Sequence, residues 1–416
     1  MPSSKDYIEL DHEYGAHNYH PIPVVISRAR GIWVFDPEGK KYLDCLSAYS
    51  SQNMGHLHPE IVQAMRKQLK KVALTSRAFH NDMMGLFLKQ VCELVGPHLQ
   101  LNNGKPMVLP MNTGAEAVET GLKVARAWGY IKKKIPKGKA HIIVCSDNFH
   151  GRTITICGLS SDPITRHEEN FGPFTPGFSV IPYGDSVALD SEIKKIGASN
   201  VAAFLVEPIQ GEAGVKVPPK GYLKQVREIC SKHNVLMIVD EIQTGLCRTG
   251  ELFAVDHESV KPDMFLLGKA LGGGVYPVSA VVTREEVIGP EIIPPGTHGS
   301  TFGGNPLAAA VGMKSLEVMI REKLDKRAKE MGKYFMDGLK AIAEHKTRLP
   351  IKEIRGKGLL IAVEFDGNAR FLVEDLMRNG ILVKDTHSTT IRFAPPLIIT
   401  EKDVDWALKT IKEVLT

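Results

Sequence analysis

The residue with the clearest chemical potential is Lys269, which directly follows the apolar segment 264–268. Such runs form buried strands, and ligand sites in open α/β sheets lie at the carboxyl ends of the strands. An amine among apolar side chains has a lowered pKa and can attack a carbonyl carbon. A P-loop is excluded, because that motif needs glycine at position 263 and serine or threonine at 270, where the chain has Asp263 and Ala270.

A carboxylate occupies the matching position on a second apolar segment. Asp240 ends the run 235–240, and Gln243 follows three residues later. A carboxylate at the carboxyl end of a strand can pair with a protonated ring nitrogen. An aspartate that caps a helix looks the same in sequence, so Asp240 gains its meaning only together with Lys269.

Two segments could bind an anion. A strong helical pattern begins at Thr113 or Gly114, and the free N–H groups at the start of a helix attract phosphate. A glycine-rich loop adds the hydroxyl groups of Ser300 and Thr301. Taken alone, the first segment is explained equally well as an ordinary helix cap, and the second as an ordinary loop.

A turn at residues 148–152 offers an aromatic ring and a guanidinium group. Phe149 can stack on a flat ligand, and Arg152 can bind a carboxylate through two hydrogen bonds. A strand-end lysine, a strand-end carboxylate, a stacking ring and two phosphate-binding segments are together what pyridoxal 5′-phosphate requires. The residues therefore predict this cofactor and no metal.

The elements that must position these side chains follow a regular pattern. Short β-branched runs, apolar on both faces, alternate with amphipathic helical patterns at 115–130 and 221–233. The alternation predicts an α/β fold with a mostly parallel central sheet sandwiched by helices. The predicted strands are 141–145, 153–159, 201–208, 235–241, 264–268 and 278–283.

The flanking regions predict a smaller α+β unit. Residues 24–44 fit a hairpin that turns at 37–39, a long helical region follows Asn305, and the tail mixes short strands with helices. We therefore divide the chain into an N-terminal segment packing with the small domain, a large cofactor-binding domain and a small C-terminal domain. Their bounds are 1–49, 50–305 and 306–416.

Composition excludes several classes of protein. The 416 residues are 43% hydrophobic and 24% charged, and 52 basic against 47 acidic residues leave a net charge of +5. This charge is too small to indicate a nucleic-acid or membrane-surface partner. Apolar runs reach about six residues, far short of the ~20 of a membrane helix. The N-terminus lacks an apolar signal core, which predicts a cytoplasmic location, with a processed mitochondrial form as the alternative.

Six cysteines are scattered along the chain, as expected in a reducing compartment. Cys145 and Cys157 fall on predicted neighbouring strands that flank the 148–152 turn. Buried, inert thiols are the ordinary interpretation, and oxidation that disturbs the cofactor site is the alternative hypothesis.

A set of motifs occurs along the chain in the order known from one enzyme family. They are NTGAEAVE, NFHGRT, EPIQGEAG, VDEIQTG, LLGKALGGG and HGSTFGGNP. On them the chain resembles the class III, fold type I aminotransferases, from about Tyr14 to the last helix. YGAHNYHP, LSAYS, TSRAF and IRFAPPL are similar to the branch of the family that acts on ornithine. Gly272 and His150 depart from the usual pattern, and we expect no chemical duty for either.

The resemblance implies a role for each cofactor-binding residue. Lys269 would form the covalent link to the cofactor and move the proton between cofactor and substrate, and Asp240 would pair with the pyridinium nitrogen. Thr301 would reach across from the partner subunit, so that a homodimer shares its active sites. The remaining contacts are implied for Phe149 on the ring face, Gln243 at the phenolic oxygen, and Gly114, Ala115 and Ser300 at the phosphate.

The resemblance also implies two carboxylate clamps and a reaction. Tyr19 and Arg152 would hold the α-carboxylate of L-ornithine far from the cofactor, with Tyr49 shaping the pocket. Arg392 would bind the carboxylate next to the keto group of 2-oxoglutarate, and Glu212 would pair with Arg392 only while ornithine reacts. The implied reaction transfers the δ-amino group of ornithine to 2-oxoglutarate by a ping-pong mechanism and yields glutamate 5-semialdehyde and glutamate.

Two alternatives stay open at this point. One is another class III ω-aminotransferase that acts on 4-aminobutyrate or N-acetylornithine, for which the Tyr19 hydroxyl has less use. The other is a non-catalytic module on the same fold, which could have lost Lys269 or Asp240 freely.

Overall fold

The computed structural model describes residues 2–416 and begins with a helix and a small sheet. Its first elements are α1 (Ser4–Tyr14), β1 (Arg28–Arg30), β2 (Trp33–Phe35), β3 (Lys41–Asp44), α2 (Ser47–Ser50), α3 (Pro59–Leu69) and α4 (Met84–Val95). β2 and β3 flank the predicted turn, and β1 adds a third antiparallel strand. The predicted hairpin is thus confirmed, and it forms part of a sheet that a fourth strand from the last third of the chain completes.

The second sheet has seven strands and forms the centre of the molecule. They are β4 (Pro106–Met111), β5 (His141–Cys145), β6 (Phe178–Ile181), β7 (Val201–Val206), β8 (Leu236–Asp240), β9 (Met264–Leu267) and β10 (Ser279–Arg284). The order is β4-β10-β9-β8-β7-β5-β6, and β10 alone runs antiparallel to its neighbours, β4 and β9, while the other strand pairs are parallel. The mostly parallel sheet is therefore confirmed.

Helices cover the sheet on both faces because its strands are apolar on both faces. Every residue of β7, β8 and β9 is buried. The helices of this region are α5 (Gly114–Ile131), α6 (Ile154–Leu159), α7 (Pro163–Arg166), α8 (Glu168–Phe171), α9 (Ser186–Ile196), α10 (Tyr222–Lys232) and α11 (Glu285–Ile288). α5 packs its buried residues Val118, Leu122 and Ala125 into one of the two large core clusters.

One predicted strand is wrong, because residues 153–159 form the helix α6 instead. The Thr153 side chain accepts a hydrogen bond from the backbone N–H of Ile156 and so caps the helix. Cys157 therefore lies on a helix, and the premise that Cys145 and Cys157 occupy neighbouring strands is also wrong.

The last third of the chain contains two long helices and a third sheet. Its elements are α12 (Pro306–Arg321), α13 (Leu324–Ala343), β11 (Ile351–Lys357), β12 (Leu360–Phe365), α14 (Arg370–Arg378), β13 (Ile381–Leu382), β14 (Lys384–Thr386), β15 (Thr390–Phe393) and α15 (Glu401–Leu415). Four strands form an antiparallel sheet in the order β11-β12-β15-β14, and β13 instead pairs in parallel with β3 of the first sheet. The domain bounds at residues 49 and 305 stay a prediction. Within residues 2–416 no helix is long and apolar enough to span a bilayer.

Candidate active site

Three parallel strands end at one edge of the central sheet and deliver ionisable side chains to one cavity. Asp240 is the last residue of β8, Glu207 directly follows β7, and Lys269 follows β9 by two residues. The start of α5 and the 148–152 turn complete the cavity. The predicted site residues on its wall are Gly114, Ala115, Phe149, Glu212, Asp240, Gln243 and Lys269.

Lys269 extends into this cavity from a strained backbone position. Its φ of 45° lies in the left-handed region, which is unfavourable for a residue with a Cβ atom. Burial lowers the pKa of Lys269 to about 8, although the nearby carboxylate of Glu212 acts in the opposite direction. A substantial fraction of the amine is therefore neutral and nucleophilic near neutral pH.

Asp240 has a buried partner that the sequence did not reveal. The Nδ1 atom of His150 lies 2.7 Å from Oδ2 of Asp240, and both side chains are almost fully enclosed. Burial disfavours the charged imidazole, but the bond to Asp240 outweighs burial and raises the pKa of His150. His150, for which we expected no chemical duty, is thus in contact with a predicted catalytic carboxylate and can orient it.

A second carboxyl group, Glu207, lies close to this pair and was also not predicted. Its Oε2 accepts a hydrogen bond from the backbone N–H of Phe149 at 3.0 Å. Burial raises the pKa of Glu207 to about 8. Glu207 therefore anchors the turn that carries Phe149, the residue predicted to stack on the cofactor ring.

The two segments predicted to bind phosphate differ in their relation to the cavity. Thr113 caps α5, and Gly114 and Ala115 at its start line the cavity, where the first N–H groups of a helix have no partner within the helix. The hydroxyl of Ser300 accepts a hydrogen bond from the side chain of Asn112 at 2.8 Å. Thr301 is exposed and is absent from the cavity wall of its own subunit.

The predicted clamp for the first substrate lies beside the cavity. A guanidinium N–H of Arg152 donates to the hydroxyl oxygen of Tyr19 at 3.2 Å, and the same group lies 5.5 Å from the ring centre of Phe149. Tyr19 is 57% exposed, so its hydroxyl is open to a ligand. The N-terminal segment that carries Tyr19 thus meets the 148–152 turn that carries Arg152 and Phe149.

The second predicted clamp is closed in this structure. Nη1 of Arg392, which is 3% exposed, donates to Oε1 of Glu212 at 2.7 Å. Nε2 of Gln243 donates to the same oxygen at 2.9 Å. Burial opposes ionisation of Glu212, but Arg392 and Lys269 outweigh burial and lower its pKa to about 2. Glu212 is therefore an anion that neutralises Arg392.

Tyr49 lies between this clamp and a lysine that sequence analysis missed. The Tyr49 ring centre is 5.2 Å from the guanidinium of Arg392, and its hydroxyl is 3.0 Å from Nζ of Lys384. Tyr49 belongs to α2, whose four residues have φ between 44° and 74°, so that α2 is a left-handed turn. The side chain of Asp44 holds this turn by accepting backbone N–H groups at 2.8 and 2.9 Å.

Pyridoxal 5′-phosphate fits the residues of the cavity. An amine, a carboxyl group, an aromatic ring and a helix start all line this cavity. Oε1 of Gln243 is buried without a hydrogen-bond partner among residues 2–416, which leaves one amide atom for a polar group of the ligand. The site thus has a donor or acceptor for each end of this cofactor.

Comparison with known proteins agrees with this geometry. A curated ornithine aminotransferase from Brevibacillus brevis is 53% identical over 415 residues, which are 100% of this chain and 99% of the relative. The crystal structure of the ornithine aminotransferase from Toxoplasma gondii has a TM-score of 0.94 at 47% identity and covers 100% of this chain and 95% of its own. The acetylornithine aminotransferase from Elizabethkingia anophelis has a TM-score of 0.88 at 48% identity, with coverage of 100% and 99%.

The fold and the site define a fold type I aminotransferase that uses pyridoxal 5′-phosphate. The family description "Aminotransferase class-III" matches residues 14–415, and the chain belongs to this family. The predicted family, fold class and cofactor are thereby confirmed. The roles of the individual site residues stay predictions.

Proposed function

We propose that the enzyme transfers the δ-amino group of L-ornithine to 2-oxoglutarate in two half-reactions, with glutamate 5-semialdehyde and glutamate as products. The observation that carries this proposal is the different state of two arginines beside one cavity. Arg392 is neutralised by Glu212 at 2.7 Å, whereas Arg152 contacts the hydroxyl of Tyr19 and no carboxylate among residues 2–416. One arginine can bind a carboxylate at once, and the other can do so only after Glu212 moves.

The open arginine suits the amino donor. Ornithine must present its terminal amine to the reacting centre, so its carboxylate has to bind at a distance from Lys269. Arg152 and the exposed hydroxyl of Tyr19 offer two hydrogen-bond donors for that carboxylate. Glu212 meanwhile masks Arg392, so that the pocket near the reacting carbon does not repel a cationic substrate.

Bound pyridoxal 5′-phosphate supplies an electron sink that stabilises negative charge on the substrate carbon. Asp240, oriented by His150, would hold the ring nitrogen of the cofactor in its positive, protonated form. Nζ of Lys269 takes the proton from the substrate carbon and returns it, because its pKa of about 8 allows both states near neutral pH.

The closed arginine suits the amino acceptor. 2-Oxoglutarate must present a keto carbon with a carboxylate directly beside it. Arg392 can bind that carboxylate once Glu212 rotates away, and Arg152 can bind the distal carboxylate. A movable carboxylate thus lets one pocket accept a cationic donor and a dicarboxylate acceptor in turn.

We further infer a homodimer with shared active sites. Thr301 is exposed and lies off the cavity wall of its own subunit, which supports a contribution to the phosphate site of the partner. A cytoplasmic location stays a prediction.

A half-reaction screen tests the proposed substrate. The enzyme loaded with pyridoxal 5′-phosphate is mixed with ornithine, 4-aminobutyrate, N-acetylornithine or lysine, and the absorbance of the bound cofactor is followed. Ornithine should react fastest. Tyr19→Ile should lower kcat/KM for ornithine far more than for 4-aminobutyrate. Tyr19→Phe removes the hydroxyl alone and so shows how much of that loss the hydroxyl causes and how much the ring causes. Equal losses with both donors would argue against the ornithine assignment.

N-Acetylornithine is a second candidate donor, because a solved structure named for that activity is 48% identical to this chain. Both donors carry an α-carboxylate and a terminal amine, and they differ in the charge of the α-amino group. A higher kcat/KM for N-acetylornithine than for ornithine in the same screen would establish this candidate instead.

A further inference from the structure

Lys384 stands directly opposite Arg392 in the third sheet. β14 and β15 are antiparallel, and their register pairs these two residues. Side chains that face each other across antiparallel strands project to the same face, and two like charges there destabilise the sheet. Two cations on adjacent strands beside a substrate cavity therefore call for a functional reason.

Tyr49 connects the two cations. Its ring centre lies 5.4 Å from Nζ of Lys384 and 5.2 Å from the guanidinium of Arg392. Nζ of Lys384 also donates a hydrogen bond to the Tyr49 hydroxyl at 3.0 Å. Because an ammonium group has donors only, the tyrosine oxygen must accept, and the tyrosine's own hydrogen is free to point elsewhere. Lys384 thus leaves the Tyr49 hydroxyl hydrogen available to donate to a ligand.

The position of Tyr49 is maintained against backbone strain. Its φ is 60°, and it belongs to the left-handed turn that Asp44 stabilises. Left-handed backbone is costly for residues with a Cβ atom and persists where the surrounding structure enforces it. The turn places the ring over both cations.

The strand that carries Lys384 also contacts the backbone of Glu212, the residue whose carboxylate neutralises Arg392. The hydroxyl of Thr386 donates to the backbone oxygen of Glu212 at 2.6 Å. The side chain of Glu212 neutralises Arg392 but contacts no atom of Lys384 within salt-bridge distance among residues 2–416. When the carboxylate of Glu212 leaves Arg392, the positive charges of Arg392 and Lys384 and the polarised hydroxyl of Tyr49 remain on this side of the substrate pocket.

We propose that Lys384 is a specificity-determining residue that, together with Arg392 and Tyr49, binds the carboxylate of the keto acid. This inference rests on the proposed function only in its use of a keto acid as amino acceptor. Lys384 adds positive charge in the half-reaction in which Glu212 is displaced. In the other half-reaction the carboxylate of Glu212 neutralises Arg392, and Lys384 has little effect on the binding of the amino donor.

The test compares Lys384→Met with Lys384→Arg in the two half-reactions measured separately. Enzyme loaded with the amine form of the cofactor, pyridoxamine 5′-phosphate, is mixed with 2-oxoglutarate. Lys384→Met should raise the KM for 2-oxoglutarate by about tenfold, the effect of losing one charge-assisted hydrogen bond, and should change the KM of the amino donor by less than about threefold. Lys384→Arg should keep the KM for 2-oxoglutarate and the KM for the amino donor within about threefold of the parent enzyme.

Binding provides a readout that does not depend on turnover. Titration calorimetry with glutarate, an unreactive dicarboxylate, should give a Kd about tenfold weaker for Lys384→Met. In the Tyr49→Phe background the same substitution should have a much smaller effect, because the two residues act as a unit. Lys402→Met, an exposed lysine on α15, is the matched control.

The proposal is overturned by equal losses in both half-reactions, by unchanged glutarate binding, or by full additivity with Tyr49→Phe. If Lys384→Met fails to fold, as judged by its thermal transition, Lys384→Gln replaces it. The 2-oxoglutarate half-reaction needs no ornithine. A failure of the ornithine assignment would therefore appear only in the donor screen, and it is distinguishable from a failure of the Lys384 proposal.

Discussion

Replacing Glu212 with glutamine tests how one pocket serves two substrates. Oε1 of Glu212 accepts hydrogen bonds from Arg392 at 2.7 Å and from Gln243 at 2.9 Å. Glutamine retains the shape and the acceptor oxygen but removes the negative charge. In the Glu212→Gln variant, Arg392 carries an unbalanced charge in both half-reactions. We expect the donor half-reaction to slow and the binding of 2-oxoglutarate to be retained or strengthened.

The size of the effect follows from the ionisation of Glu212. Burial opposes the charge, yet Arg392 and Lys269 lower the pKa from the ordinary 4.5 to about 2. Each pKa unit corresponds to about 1.4 kcal/mol, so the surroundings favour the anion by roughly 3 kcal/mol. Arg392 contributes more of this effect than Lys269 does. The donor kcat/KM should fall by about tenfold to a hundredfold.

The assay is stopped-flow absorbance of the bound cofactor with each substrate alone. Asp375→Asn is the matched control, because it removes a carboxylate that pairs with Arg348 at 2.9 Å elsewhere in the chain. The control should behave like the parent in both half-reactions. A Glu212→Gln variant whose donor rate is unchanged, or whose two half-reactions slow equally, would refute the reasoning.

Three further predictions follow from the buried groups. Since burial lowers the pKa of Lys269 to about 8, attachment of pyridoxal 5′-phosphate to the apo-protein should accelerate about tenfold per pH unit below pH 8 and level off above it; a rate still rising at pH 10 contradicts this. His150→Phe leaves Oδ2 of the buried Asp240 without its imidazole partner, while the backbone N–H of Ile242 still donates to Oδ1. This variant should weaken cofactor binding about tenfold to a hundredfold in an absorbance titration, whereas His150→Asn should retain part of the affinity. Burial raises the pKa of Cys145 to about 12 and also raises that of Cys157, so both thiols should react with Ellman's reagent only on unfolding. Fast reaction of the native enzyme with loss of activity would favour the oxidation hypothesis.

The buried strands could be predicted from sequence because their apolar runs have a single structural explanation. Val201–Val206 is apolar throughout, and every residue of it is buried between two helical layers. β11 was not predicted, since residues 351–357 (IKEIRGK) mix charged and apolar residues and lie at the edge of a sheet. Its strand conformation comes from pairing with β12, which is a property of the fold.

The helix α6 shows where residue preference misleads. Residues 153–159 (TITICGL) are rich in β-branched side chains, which favour strands. A helix of six residues is too short for a period of 3.6 to be visible in its sequence. The cap at Thr153 and the packing of Gly158 against Phe174 decide the conformation.

The residues of the candidate site also fall into those that could be predicted from the sequence and those that could not. Lys269, Asp240 and Gly114 could be predicted because each follows from its place at the end of a strand or the start of a helix. His150 could not, because its duty depends on a carboxylate 90 residues away in sequence. Lys384 depends on the register between two short strands, which nothing in its local sequence specifies.

The parallel pairing of β3 with β13 has a consequence for biosynthesis. Leu43 donates its N–H to Gly380, Cys45 donates to Leu382, and Ala394 donates to Cys45, all within 2.9 Å. On the ribosome, β3 and the turn after it emerge early but find these partners only when residues 380–394 have been made. Lys269 and its strands are complete well before then. A growing chain can therefore form the cavity around Lys269 first, and the residues proposed to distinguish the two substrates reach their final positions last.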